Sequence, residues 1–375
     1  MSDRSIKVAM IGQKGYPPIH GGIEKHVAEL AARLGDKGFS LTIYSRPHYS
    51  SLQGATGVAG VSVRRLPSIP TKHLDAMSHS LLATVDVLPR DFDIVHYHAL
   101  GPGLLSGVPR WFGRKATVVT VHGLDWQREK WGLVARAILR FGEYGSVRFP
   151  QRTIVVSKAL RDYYAEQHGR RTEYIPNGIT LPCYQEPELI RQHGVDGRFI
   201  LFVGRLVPEK GCHMLLEAYA RLPDDLRQEF QLVIAGDAGF THGYVRQLKR
   251  DAAPTVNFLG YVHGPILSEL YTNAELVVLP STLEGLSLTL LEGMSFGRCC
   301  LVSDIPPNVE AASDHAPMFP STDVEALTKQ LDVLLRDDLR RADYGRRAQL
   351  HVIENYSWQQ VAEQTAKLYR ELIGA

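Results

Sequence analysis

The 375-residue chain lacks several things, and each shortage excludes a class of protein. It has no run of about 18 apolar residues, so no membrane-spanning helix is expected. It has four cysteines, Cys183, Cys212, Cys299 and Cys300, and their spacing fits no zinc motif. The adjacent Cys299-Cys300 pair lies in an apolar run and reads as core, and this usage suits a reducing, cytoplasmic setting. The opening MSDRSIKVAMIG lacks the form of a secretory leader and reads as a first strand. No repeats or low-complexity segments stand out. Gly12, Gly15, Gly21 and Gly22 match neither the dinucleotide fingerprint G-x-G-x-x-G nor a P-loop, so NAD and ATP are unsupported. No nucleic-acid-binding motif is present.

What remains is a globular composition, 44% hydrophobic and 22% charged, in a chain long enough for two cores. The net charge of +2 hides an asymmetry: residues 1–180 carry 24 Lys+Arg and 14 Asp+Glu, or +10, which leaves 18 and 26, or −8, for the rest. A basic front half favours a polyanionic or membrane-surface partner, or a pair of oppositely charged lobes. Strand and helix patterns alternate throughout, as in parallel sheets with crossover helices. The alternation lapses between Tyr174 and Gly197, where Ile175-Pro176-Asn177-Gly178 signals a turn. This divides the chain into an N-terminal domain over 1–180, a second domain over 181–355 and a final helix over 356–375 that crosses back to the first. In the first domain Val27, Leu30, Ala31 and Leu34 share one helix face. In the second, helices are expected at Lys210–Arg221 and from about Ser287.

The stretch Ser281–Leu301, STLEGLSLTLLEGMSFGRCCL, organises the rest. A buried-strand pattern precedes it, Glu284 lies in the following turn, and Glu292 lies inside the next helix. The amides of Ser287 to Leu290 are thus free at a helix N-terminus, which stabilises an anion. Carboxylates beside an anion site suit a ligand with both phosphates and neutral hydroxyls, such as a nucleotide sugar. Arg205 follows the first strand of the second domain and Lys210 follows five residues later, at the strand end where ligands of open α/β sheets collect. Two cations there would grip a diphosphate.

Phe202-Val203-Gly204-Arg205-Leu206 with Pro208-Glu209-Lys210-Gly211, Ile234-Ala235-Gly236-Asp237, and Glu284 with Glu292 together resemble the retaining glycosyltransferases of family 4, the group 1 type. In the front half Gly21-Gly22, Asp93-Ile94-Val95-His96-Tyr97-His98, Thr120-Val121-His122-Gly123, Val155-Val156-Ser157 and Ile175-Pro176-Asn177-Gly178 extend the resemblance over nearly the whole chain. Gly12 to Leu34 is most similar to the bacterial branch of rhamnosyltransferases and other polysaccharide-assembly enzymes. The resemblance implies an α/β chain of GT-B fold: two facing Rossmann-like domains with parallel sheets and a central cleft, an acceptor-side domain first and a donor-binding domain second.

It also implies a cytoplasmic enzyme of hexosyltransferase type that moves a sugar, with retention and without a metal or other cofactor, from a nucleoside-diphosphate sugar to a glycan, lipid-linked or small-molecule acceptor. Arg205, Lys210 and the amides of Leu288 and Thr289, with Ser287 at the helix start, would bind the diphosphate. Glu292 would take the ribose hydroxyls. Glu284 would face the transferred sugar, positioning it or, less favoured, acting as nucleophile. His122 would hydrogen-bond the sugar, Gly21 and Gly22 would admit the donor closely, and backbone near Val262 would contact the base. Two departures stand out: Leu286-Ser287 where the family often has Phe-Gly, and Ile179-Thr180 where an Asp usually follows Asn-Gly-Val. The alternatives are a nucleotide-sugar epimerase of the same fold and an inactive nucleotide-sugar-binding protein.

Three further features admit a second reading. Asp91-Phe92-Asp93 matches a metal-binding Asp-x-Asp but precedes its strand, at the wrong end for a ligand. His96 and His98 share a strand face, where packing or acceptor contact is favoured over metal ligation. Trp126 to Arg152 interleaves Trp126, Trp131, Phe141 and Phe149 with Arg128, Lys130, Arg136, Arg140, Arg148 and Arg152. That pattern fits either a helix packed on the sheet or peripheral contact with the inner face of an anionic membrane.

Overall fold

The computed structural model of the chain describes residues 5–18, 21–49, 60–71, 74–128, 132–237 and 242–374. It divides into two compact units, Met1–Gly178 with Trp358–Ala375, and Ile179–Ser357.

The first unit is built on a seven-stranded sheet of β1 (Ile6–Ile11), β2 (Phe39–Ser45), β3 (Val61–Arg65), β4 (Ile94–His98), β5 (Ala116–Val121), β6 (Arg152–Val155) and β7 (Glu173–Tyr174), ordered β3-β2-β1-β4-β5-β6-β7. All its pairings are parallel. The central strands are covered on both faces, which is why β1 and β5 read as unbroken apolar runs. The first helix, α1 (Gly22–Gly35), buries Val27, Leu30, Ala31 and Leu34, the face expected from their spacing. Helix α2 (Asp75–Val87) follows β3, and α3 (Leu133–Arg148) follows β5. Helix α4 (Lys158–His168) is capped by Ser157, whose Oγ accepts from the Leu160 amide at 3.3 Å. The last helix, residues Trp358–Ile373, belongs to this unit: Tyr369 stacks edge-on against Phe39, and Trp358 lies 5.5 Å from His26 between ring centroids.

The second unit carries β8 (Arg198–Val203), β9 (Phe230–Ala235), β10 (Val256–Gly260), β11 (Leu276–Leu279), β12 (Cys300–Ser303) and β13 (Met318–Phe319), ordered β10-β9-β8-β11-β12-β13 and parallel throughout. One core cluster runs from Ile200 and Phe202 through Leu215, Tyr219 and Leu232 to Leu327 and Leu334. Cys212, Cys299 and Cys300 are buried, and burial pushes the Cys212 and Cys299 thiols up to about 12, so they serve as core.

The helix expected over Lys210–Arg221 starts later, as α5 (Cys212–Ala220). Pro208–Lys210 forms a separate 3-10 turn, and Gly211 breaks the two at φ +69°. A Cβ at Gly211 would stand 2.0 Å from the Pro280 carbonyl oxygen, so this approach of the turn after β8 to the turn after β11 admits only glycine.

Candidate active site

In each sheet the strand order reverses direction once. The reversal falls between β1 and β4 in the first unit and between β8 and β11 in the second. Open α/β sheets bind ligands at the carboxyl ends of strands at such a switch point, and the residues singled out in the second unit gather there. Arg205 follows β8 and is exposed. Lys210 ends the 3-10 turn, and its Nζ meets Glu284 Oε1 in the loop after β11 at 2.5 Å. Ser281 Oγ donates to the same oxygen at 2.8 Å, and the Ser281 carbonyl accepts from Ser303 Oγ, which ties the loop to the end of β12. The Thr282 amide donates to the Glu209 carbonyl at 2.9 Å. Both charged side chains are largely withdrawn from water, 18% exposed for Lys210 and 9% for Glu284, so their attraction is little screened.

Eight residues beyond Glu284, Glu292 lies on α6 (Leu288–Ser295). The cap of α6 is Ser287, with extended backbone and Oγ accepting from the Leu290 amide at 3.3 Å. The serine that replaces the family's glycine therefore needs no unusual backbone and supplies a cap. The Leu288 and Thr289 amides are in the first turn, where α-helical donors lack intrahelical partners. Tyr271 donates from its hydroxyl to Glu292 Oε2 at 3.1 Å; burial and the adjacent carboxylate push the Tyr271 phenol well up, so it keeps its proton. Val262 follows β10, half-buried between Tyr261 and His263, whose rings stack 5.5 Å apart.

In the first unit the corresponding positions hold histidines. His98 ends β4 and His122 follows β5; His98 Nδ1 and His122 Nε2 lie 3.2 Å apart and share a proton. His26, on α1, packs edge-on against the His122 ring at 4.8 Å, and its Nδ1 donates to Asn177 Oδ1 at 2.9 Å. His96 stacks on His98 at 4.3 Å, with Tyr369 on its Nδ1 at 2.5 Å and Thr120 on its Nε2 at 2.7 Å. Burial lowers His26 to about 4 and His96 to about 3. His122 keeps part of its surface exposed, yet the protein around it lowers it well below the usual histidine range, as burial does His98. All four are neutral near pH 7. Sequence reasoning singled out His122 and the His96/His98 pair but missed His26. The helical periodicity around His26 reads as packing, and only the fold brings it to Asn177.

Gly21 caps α1 at φ +102°, and a Cβ there would meet Glu24 Oε2 at 2.2 Å; Gly22 opens the helix. Glu24 in turn accepts from the Lys14 amide at 2.8 Å, so the loop's own geometry already demands Gly21. Asp93 accepts from the Lys7 amide at 2.8 Å and Asp91 pairs with Lys7 Nζ at 2.8 Å, both at the amino end of β4. They brace the sheet away from the switch point. Within the aromatic and basic segment, Lys130 and Trp131 lie outside the described residues. No helix among the described residues is long and apolar enough to cross a membrane.

Two parallel α/β units, each with chemistry-bearing side chains at its switch point, define a class that known proteins identify. Residues 185–351 match the family described as Glycosyl transferases group 1, and residues 20–181 match Glycosyltransferase Family 4. The chain is 31% identical to a D-inositol 3-phosphate glycosyltransferase of Geodermatophilus obscurus, over 74% of this chain and 69% of that one. It is 27% identical to the phosphatidyl-myo-inositol mannosyltransferase of Mycolicibacterium smegmatis, over 95% and 92%. Among solved structures, sucrose-phosphate synthase of Thermosynechococcus elongatus superposes with a TM-score of 0.82 at 20% identity, over 98% of this chain and 99% of that one. Anabaena HepE, solved with UDP and glucose, gives 0.81 at 20% identity, over 98% and 100%. The chain belongs to the group 1, family 4 glycosyltransferases and has their GT-B type of fold. It is a glycosyltransferase.

Proposed function

We propose that the chain transfers a hexosyl group from a nucleoside-diphosphate sugar to a hydroxyl of a glycan or lipid-linked acceptor, with retention and without a metal. The observation that carries this reading is the Lys210–Glu284 pair, held at the switch point beside the N-terminus of α6. Arg205, Lys210 and the Leu288 and Thr289 amides stabilise the negative charge that develops on the leaving nucleoside diphosphate. Glu292, oriented by Tyr271, accepts from the ribose hydroxyls, and backbone at Val262 meets the base. Glu284 releases Lys210 to the phosphate and positions the sugar. His122 donates or accepts at a sugar hydroxyl, and Gly21 and Gly22 admit the donor. The C1–O bond to the phosphate breaks as the acceptor oxygen bonds C1 from the same face, and the departing phosphate oxygen takes the acceptor proton. UDP is the first nucleotide to test, because HepE was solved with it.

The acceptor-side unit also supports contact with an anionic membrane. On α3 the side chains of Leu133, 85% exposed, and of Val134, Ile138, Phe141 and Tyr144 form one uncovered apolar stripe. Arg136, Arg140 and Arg148 lie on the same helix, and Arg140 stacks 4.4 Å over the Trp126 ring. An apolar stripe flanked by arginines is the composition of an interfacial helix. Vesicles containing phosphatidylglycerol should retain the wild type and release Leu133→Glu/Phe141→Glu. Equal retention of both proteins would remove the membrane reading.

The primary test is a thermal-shift series with UDP, GDP, ADP and dTDP and their sugars, since a ligand of the native state raises its stability. One nucleotide series should stabilise the protein, with release of the free diphosphate on donor turnover in EDTA. Stabilisation by none of them, with no release, would overturn the donor assignment. Loss of turnover in EDTA that added magnesium restores would overturn metal independence.

A further inference from the structure

We propose that His26, His98 and His122 form a binding site in the first unit for one divalent transition-metal cation of the zinc class. One ring nitrogen from each of the three lies within 4.8 Å of the others. Bonds of about 2.0–2.1 Å to a tetrahedral zinc set neighbouring nitrogens about 3.3–3.4 Å apart. The His98–His122 pair, at 3.2 Å, already has that spacing. The 4.8 Å limit exceeds the tetrahedral edge by roughly 1.5 Å.

Two observations favour ligation over simple packing. His98 is fully buried, and its Nδ1 faces the His122 Nε2 at 3.2 Å, two imidazole nitrogens that a cation can hold in place of the shared proton. His26 donates through Nδ1 to Asn177, which fixes its tautomer and leaves Nε2 as a lone pair, the arrangement that second-shell partners impose on metal-bound histidines. His96 is excluded because both of its nitrogens are engaged. An all-imidazole set selects zinc, cobalt, nickel or copper over magnesium or calcium, and three ligands leave a fourth position for water or an anion. Occupancy fixes the His122 ring, so the cation inhibits sugar transfer; this last consequence rests on the transferase reading above.

The test is calorimetric titration of the untagged full chain with zinc chloride, with magnesium chloride as control, and visible absorption after addition of cobalt. One equivalent of zinc should bind, magnesium should not, and cobalt should give the intense ligand-field bands of a four-coordinate site. His26→Gln and His98→Gln should each weaken zinc binding by at least about tenfold, and Asn177→Ala by a similar or smaller factor. His351→Gln, which alters the separate His315–His351 ring pair, should leave it unchanged. Absence of stoichiometric zinc binding in the wild type overturns the site without any variant having to fold. Binding that survives His26→Gln and His98→Gln but is lost in His351→Gln overturns it equally. Zinc that binds as described but leaves measured transfer untouched upholds the site and overturns the inhibition alone.

Discussion

Lys210 and Glu284 meet as ions at the switch point of the second sheet, whereas the switch-point side of the first sheet is lined with neutral, interlocked histidines. The two units share a topology and differ in the kind of interaction they prepare. A lysine, an exposed arginine and a helix N-terminus are suited to concentrated negative charge, and a carboxylate holds the lysine in place. Neutral imidazoles under burial offer directional hydrogen bonds or metal ligation and no net charge, which suits uncharged hydroxyls.

The contrast breaks most visibly if charge is removed. Lys210→Ala should lower kcat/KM by about 10²–10³-fold, the cost of removing one donor to a developing anion. Glu284→Gln should cost less in donor affinity than in kcat, because it frees the lysine but loses the positioning of the sugar. Steady-state kinetics on both would reject the charge-based assignment if Lys210→Ala kept wild-type kcat/KM. Next in size, Glu292→Ala should raise the donor KM by about 10–100-fold, the equivalent of roughly 1.5–3 kcal/mol of hydrogen bonding to a charged group. An unchanged KM would detach Glu292 from the ribose.

On the neutral side the expected effects are on stability. His79 is buried on α2, and burial, with the Arg46 cation as a second cause, lowers it to about 4. Because its native value lies below the usual 6.5, the unfolded chain takes the proton first as pH falls. Stability from neutral His79 is therefore complete above about 6.5 and is lost as pH falls toward 4, on the order of 3 kcal/mol in all. Denaturant midpoints at pH 7.5 and 4.5 should differ less in His79→Leu than in the wild type; an identical pH dependence would show that its burial is not what costs stability in acid. The smallest effect is at the α6 cap. Ser287→Ala should lose about 1 kcal/mol and Ser287→Gly only a few tenths, so glycine at this position would cost little stability. No loss in Ser287→Ala would show that the cap hydrogen bond is not what Ser287 supplies.

Much of the fold was legible because its signals are local. The apolar runs at β1, β5 and β11 are the mark of strands covered on both faces, and the helix face Val27-Leu30-Ala31-Leu34 follows from a period of 3.6 residues. The start of α6 was legible because Ser287 is a cap. The start of α5 was misread because the obstacle there is distant in sequence: Gly211 is constrained by the Pro280 carbonyl, which no pattern around residue 211 reveals. That constraint keeps Lys210 off the helix and beside Glu284.

By itself, then, the sequence determined the strand-and-helix alternation, the family motifs and the candidate residues Arg205, Lys210, Glu284, Glu292 and His122, all carried by short stretches of chain. Only the tertiary structure decided which of them meet. Lys210 reaches Glu284 across 74 residues, and His26 reaches Asn177 across 151. It also joined His26 to His98 and His122. The reason is physical: periodicity and capping are set by neighbours along the chain, whereas the order of strands in a parallel sheet sets which loop ends share a switch point.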